Sequence, residues 1–160
     1  MTRNRYYWLH LAGLAWAVFL FYCDIFGHGW LGRLLPVSDA IGETGFRITV
    51  MGVALAIWAR SNLGENWSAT VTLTEGHELI RSGPYRHIRH PIYSGMLAAF
   101  SGGVLALGEF RGLISFAIAI TSFYLKAKKE RHFLTQESGE TFNDHMRRTG
   151  MFLPNLGGHE

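Results

Sequence analysis

Cysteine and charge are both scarce in this sequence. Cys23 is the single cysteine, and it sits inside an apolar block. That excludes an intramolecular disulfide, and without a Cys pair no zinc site of that kind can form. A small buried hydrophobe is the plain reading of Cys23. Charged residues make up 17% of the 160, whereas soluble domains carry about a quarter. Internal repeats and low-complexity segments are also lacking, and the length fits one domain over 1–160.

The abundant residues are apolar. They reach 48%, with 14% aromatic, and they collect in blocks separated by short polar, Gly-rich stretches. Such blocks are expected where lipid is the solvent for part of the chain. The formal charge is +3 and the pI about 9.2. A basic balance alone would admit nucleic acid. Here the basic residues flank apolar blocks, so an anionic lipid surface is the expected partner and nucleic acid is not.

Four blocks predict four transmembrane helices in an all-α integral membrane protein. The first runs from about Tyr7 to Phe26, which matches a bilayer core in length. Arg3 and Arg5 before it resemble a signal peptide, but the run is long for one and no small-x-small cleavage site follows. The second covers about Ile41 to Ala59 and carries Glu43 and Arg47, an i,i+4 pair that can neutralise itself. The third spans about Pro91 to Leu107 and the fourth about Leu113 to Leu125. Gly108 to Gly112 form a tight turn between these two, predicting an antiparallel hairpin. The fourth helix is expected to continue into water through Lys126–Glu130, and a polar tail of moderate helical character ends near Pro154.

Lys and Arg placement sets the orientation. Arg3, Arg5, Arg60, Arg81, Arg86, Arg89, Lys126, Lys128, Lys129, Arg131, Arg147 and Arg148 fall on one side. Arg33 and Arg111 fall on the other, and Arg47 lies within the second block. The asymmetry predicts that both termini and the 60–90 loop are cytoplasmic.

Residues with possible chemistry gather on that side. The densest stretch is Gly83-Pro84-Tyr85-Arg86-His87-Ile88-Arg89-His90-Pro91-Ile92-Tyr93-Ser94-Gly95. Gly83-Pro84 makes a turn. Pro91 suits the first position of a helix, which puts His90 at or near its N-cap. A helix N-terminus offers free N–H groups to an anion. Tyr93 lies in the first turn, and Gly95 permits close approach of a ligand or a neighbouring helix. An interfacial anchor is the competing account, since Arg, His and Tyr belong at membrane boundaries. A second concentration is Lys126-Ala127-Lys128-Lys129-Glu130-Arg131-His132, with Lys126 and Glu130 one turn apart. There the competing account is a solvated stop-transfer cluster.

With Ser82-Gly83-Pro84-Tyr85 and Arg89-His90-Pro91-Ile92-Tyr93-Ser94-Gly95, the chain resembles the isoprenylcysteine carboxyl methyltransferase family. Glu130 with Leu134, then Gly139, Phe142, Arg148 and Pro154, fit that family's second motif. The resemblance covers about residues 50–154. It implies an integral membrane enzyme that uses S-adenosylmethionine and releases S-adenosylhomocysteine. By position, His77, Glu78, Leu79, Ile80, Tyr85, His90, Pro91, Ile92, Tyr93 and Glu130 are then the expected cofactor contacts. Lys126 is the expected acceptor-facing residue. The chain departs from the family at Lys129 and Arg131, which flank Glu130, and at Ser138, Phe142 and His145. These departures bear on the acceptor side.

The resemblance implies methyl transfer to a lipophilic or lipidated acceptor, such as the carboxylate of a prenylated cysteine. Phospholipid nitrogen and thiol sulfur are the other acceptors to consider. A carboxylate needs no general base, only a cation to hold it. Two readings of another class stay open. One is a haem or metal protein using His87, His90, His132 and His145, and the other is a non-catalytic membrane scaffold. No metal is expected, and the sequence sets no oligomeric state.

Overall fold

A computed structural model gives the architecture, and the residues it describes are 2–22, 32–36, 38–64 and 82–155. Four helices follow in chain order: α1 (Thr2–Tyr22), α2 (Asp39–Leu63), α3 (Pro91–Leu107) and α4 (Phe110–Arg148). A 3₁₀ turn at Gly83–Arg86 precedes α3. Among the described residues there is no strand, only isolated pairings of Arg33 with Glu109 and Ile88 with Gly150.

Local chemistry explains the boundaries. Pro91 opens α3 at its first position, where a fixed φ helps and a missing N–H costs nothing. Gly108 closes it at φ 63°, a left-handed cap whose N–H donates to the Val104 carbonyl. Phe110 then starts α4, so the expected hairpin forms. The 39 residues of α4 would measure about 58 Å if straight, nearly twice a bilayer core of about 30 Å. The expected tail of moderate helicity is thus helix as far as Arg148. α2 is also longer than its apolar block, beginning at Asp39 and ending at Leu63. Past the apolar block the last turn of α2 is tied back by Ser61 and Asn62, whose side chains donate to the Ile57 and Trp58 carbonyls.

α2 and α3 pack antiparallel along a seam of glycines. A methyl group on Gly45 would sit 2.5 Å from the Gly102 carbonyl oxygen, and one on Gly95 would sit 2.6 Å from the Ala56 amide nitrogen. Gly45 and Gly52 on α2, and Gly95 and Gly102 on α3, are each seven residues apart, so both stay on one face. Backbones this close are the signature of small-residue packing in membranes. Thr49 reinforces the seam by donating to the Ala99 carbonyl at 3.2 Å. Gly95 therefore serves the neighbouring helix.

α1 lies antiparallel on α4. The Ser115 hydroxyl donates to the Ala17 carbonyl, and His10 meets Ser122. α3 contacts α4 through Tyr93 and Phe123. Thus the start of α1, the end of α2 and the start of α3 share one end of the bundle.

The bundle is small inside and large outside. Ala17, Ala59, Ala119 and Ala127 are fully buried, whereas Trp8, Trp16, Tyr22, Phe46, Met51, Trp58 and Leu125 are exposed. Water would penalise so much apolar surface, and lipid would not. Asp39–Leu63 and Phe110–His132 are long and apolar enough to cross a membrane; Tyr7–Tyr22 and Pro91–Leu107 are shorter apolar helices. The Glu43–Arg47 pair forms on the exposed face of α2, at 2.5 Å.

Candidate functional site

The site is built at the start of α3. Gly83 adopts φ 55° and packs against Asn62 at the end of α2. That turn drops Pro84 and Tyr85 into buried positions. His90 is the N-cap of α3, as expected, but its side chain makes no capping bond. It turns instead toward α4.

Glu130 is the centre of the cluster. The Tyr93 hydroxyl donates to its Oε1 at 2.7 Å, and His90 Nδ1 lies 3.4 Å from its Oε2. The His90 and Tyr93 rings stack, with centroids 5.2 Å apart and 8° between planes. One turn earlier on α4, Lys126 Nζ stands 5.2 Å from the centroid of the Tyr93 ring, in range for a cation–π contact. Phe123 closes the floor, 5.1 Å from Tyr93.

Burial sets the protonation of the outer groups. His90 is pushed down to about 4 by burial, with the charges of Arg89 and Lys126 adding to the effect. Glu130 lies close enough to oppose this, but burial and two cations outweigh one carboxylate, and His90 is neutral near pH 7. It then faces Glu130 as an uncharged ring, 3.4 Å away. Tyr85 is pushed up to about 12, chiefly by burial; Arg60 opposes the rise and Glu130 adds to it. Tyr85 is therefore a neutral hydroxyl within electrostatic reach of the same carboxylate.

The chain after α4 returns to cap this cluster. Arg89 N–H donates to the Gly150 carbonyl at 2.9 Å, His90 N–H to the Met151 carbonyl at 3.1 Å, and Gly150 N–H to the His87 carbonyl at 3.2 Å. The Ser94 hydroxyl donates to the Phe152 carbonyl at 2.6 Å, and the Phe152 ring lies 6.2 Å from that of His90. These bonds satisfy loop backbone groups that would otherwise lack partners.

Of the expected residues, His90, Tyr93, Lys126 and Glu130 come together. Tyr85 is buried beside them, Pro91 is fully buried beneath them and Ile92 is half-buried in the same first turn. His77, Glu78, Leu79 and Ile80 lie outside the described residues, as do the side chains of Ser138, Phe142 and His145. Sequence reasoning named Ser94 within the motif without giving it a role, and missed Phe123, Phe152 and His10. Of those three only His10 gave a signal, as an imidazole inside an apolar run. Among the described residues no group of three or more His, Cys, Asp or Glu side chains could hold a metal ion. A separate cavity of about 400 Å³, lined by residues including Arg33, Asp39, Glu43 and Gly108, opens at the other end of the bundle.

The cluster can do three things chemically. The carboxylate can accept hydrogen bonds from, or pair with, a cationic amine. The aromatic faces can stabilise a second cation. In the first turn of α3, where Pro91 has no N–H and His90 N–H donates to Met151, the amides of Ile92 and Tyr93 are left for an anion.

A model of the isoprenylcysteine carboxyl methyltransferase (ICMT) family matches residues 45–136. The chain is 26% identical over 117 residues to protein-S-isoprenylcysteine O-methyltransferase B of Arabidopsis thaliana, covering 71% of this chain and 59% of that protein. It is 25% identical over 117 residues to a probable protein-S-isoprenylcysteine O-methyltransferase of Oryza sativa subsp. indica, covering 71% and 61%. A third relative is the nickel-cobalt-cadmium resistance protein NccN of Alcaligenes xylosoxydans xylosoxydans, 30% identical over 115 residues and covering 68% and 49%. The chain thus spans less than two thirds of the length of each.

Proposed function

The chain belongs to the isoprenylcysteine carboxyl methyltransferase family, and on that premise we propose that it transfers a methyl group from S-adenosylmethionine to a lipophilic, membrane-embedded acceptor. The observation that carries this reading is the buried Glu130 carboxylate between Tyr93 and His90, beside the first turn of α3.

The residues present fit that donor. It brings an amine, a carboxylate and a sulfonium. A carboxylate held by the neutral Tyr93 hydroxyl, with a neutral imidazole beside it, keeps lone pairs for an amine. The amides of the first turn suit a carboxylate, and the rings of Tyr85 and Tyr93 suit a sulfonium. Tyr85, His90, Pro91, Ile92, Tyr93 and Glu130 would hold it, together with the segment His77–Ile80. The donor supplies an already activated methyl group, so the chain's own work is to position, align and exclude water.

Lys126 would hold the acceptor, on the membrane side of Glu130 along α4. An ammonium suits a carboxylate acceptor, such as that of a prenylated cysteine, and no base is then required. A phospholipid amine or a thiol would need to lose a proton first. In this reading all four helices cross the bilayer, with both termini and the site at the cytoplasmic face. The acceptor enters sideways from lipid.

Calorimetric titration of the protein in detergent with S-adenosylhomocysteine tests the reading. Saturable binding that weakens in Glu130→Ala is expected, and absence of binding to the wild-type protein would remove the cofactor assignment.

A further inference from the structure

α1 precedes the family-matched segment 45–136, yet it reaches the site. From Tyr7 to Tyr22 it is apolar apart from one residue, His10. That imidazole is only 9% exposed and faces α4. A histidine within such a run is costly unless it is paired or put to use.

Its partner is Ser122, whose Oγ lies 2.7 Å from His10 Nδ1. The Ser122 hydroxyl can donate to the His10 carbonyl oxygen at 3.3 Å. Serine has one hydroxyl proton. That proton can go to either neighbour: where it goes to the carbonyl, Oγ accepts from Nδ1–H and Nε2 presents a bare lone pair, and where it goes to Nδ1, Nε2 carries the ring proton.

The next residues on that face of α4 connect His10 to the cluster. Phe123 lies 5.4 Å from the His10 ring and 5.1 Å from Tyr93. Lys126 stands 5.2 Å from the Tyr93 ring, and it follows Ser122, the partner of His10, by one turn of α4. Lys126 thus shares a face of α4 with the residues that meet an aromatic ring from α3 and an imidazole from α1. An ammonium has donors only, on a flexible four-carbon stem. Facing one ligand in one direction requires something to hold it.

We propose that His10 is a positioning residue for Lys126: its Nε2 lone pair accepts a hydrogen bond from the Lys126 ammonium and aims it at an acceptor bearing a carboxylate. In this proposal Ser122 sends its proton to the His10 carbonyl and accepts from Nδ1–H, which leaves Nε2 bare. The proposal rests on the reading of Lys126 as acceptor-facing. It makes α1 part of the acceptor side, so the family-matched segment alone is an incomplete site.

The test needs no turnover. The full chain in detergent is treated with an amine-acylating reagent, and the rate of modification at Lys126 is read by peptide mass spectrometry. His10→Ala should raise that rate about threefold to tenfold, the change a net hydrogen bond of ordinary strength implies. His10→Gln places an amide oxygen near the position of Nε2 and should restore a rate close to wild type. Ser115→Ala removes the neighbouring bond from α4 to the Ala17 carbonyl, leaves His10 in place and should change nothing. Equal rates in wild type and His10→Ala overturn the proposal. So does an equal rise in Ser115→Ala, which would mean only that α1 had loosened. If His10→Ala does not fold, Ser122→Ala takes its place and must exceed Ser115→Ala. Titration of the same preparations with S-adenosylhomocysteine separates the two readings. A wild-type protein that binds none would sink the cofactor assignment while the labelling result stands on its own.

Discussion

The Tyr93 hydroxyl donates to Glu130 at 2.7 Å across 37 positions of sequence, and this bond ties the first turn of α3 to the middle of α4. Tyrosine brings the ring that stacks on His90 and lies beneath Lys126. Its hydroxyl fixes the carboxylate. Removing the hydroxyl alone therefore tests the carboxylate's orientation without removing the wall.

Tyr93→Phe should weaken S-adenosylhomocysteine binding less than Glu130→Ala does. Hydrogen bonds to charged groups contribute about 1.5–3 kcal/mol, so Glu130→Ala and His90→Ala should each lower affinity roughly 10- to 100-fold. Titration calorimetry in detergent reads all three. Wild-type affinity in both alanine variants would show that the pocket lies elsewhere.

The glycine seam should tolerate no side chain. A methyl on Gly95 would meet the Ala56 nitrogen at 2.6 Å, and one on Gly102 would meet the Thr49 nitrogen at 2.6 Å. Backbone atoms cannot rotate away, so α2 and α3 must separate. Gly95→Ala or Gly102→Ala should destabilise the protein by about 1–3 kcal/mol or more, seen as a fall in the detergent melting temperature. Gly42→Ala is the control, because a methyl there meets nothing within 4 Å.

Acid should destabilise the fold through His90. Its folded pKa is near 4 against 6.5 for the free side chain. Because the folded value is depressed, the contribution is complete above about pH 6.5 and is lost as pH falls from there toward 4. In that window the unfolded chain takes up a proton that the folded one refuses, at roughly 1.4 kcal/mol per pH unit. His90→Gln should flatten the part of the melting curve against pH that this residue causes. An unchanged slope between pH 6.5 and 4.5 would assign the acid sensitivity to other groups.

Reporter fusions check the orientation. A reporter after Pro154 and one in the 60–90 loop should read cytoplasmic, and one near Gly32 should read external. An external signal from the 60–90 loop would invert the bundle and move the site to the other face.

Much of the site's frame was legible in the sequence because proline and glycine punctuate it. Pro91 marked the start of α3, Gly108 its end, and the i,i+4 spacing put Lys126 and Glu130 on one face. What could not be read was pairing across the fold. Nothing local says that Tyr93 finds Glu130, or that residues 150 and 151 bond to the loop before α3. The seven-residue spacing of Gly45 with Gly52, and of Gly95 with Gly102, was present but meaningful only once two helices faced each other. The end of α4 at Arg148 escaped because its polar second half has no apolar block to mark it.

The return of residues 149–155 onto the loop before α3 has a consequence in time. During synthesis the His90–Tyr93 turn leaves the ribosome about sixty residues before Gly150 and Phe152, which close over it. At the usual translation speed of about 5–20 residues per second, α3 spends several seconds without its cap. Its loop amides must be served by water or headgroups during that interval, and the binding turn is finished only when the later segment arrives.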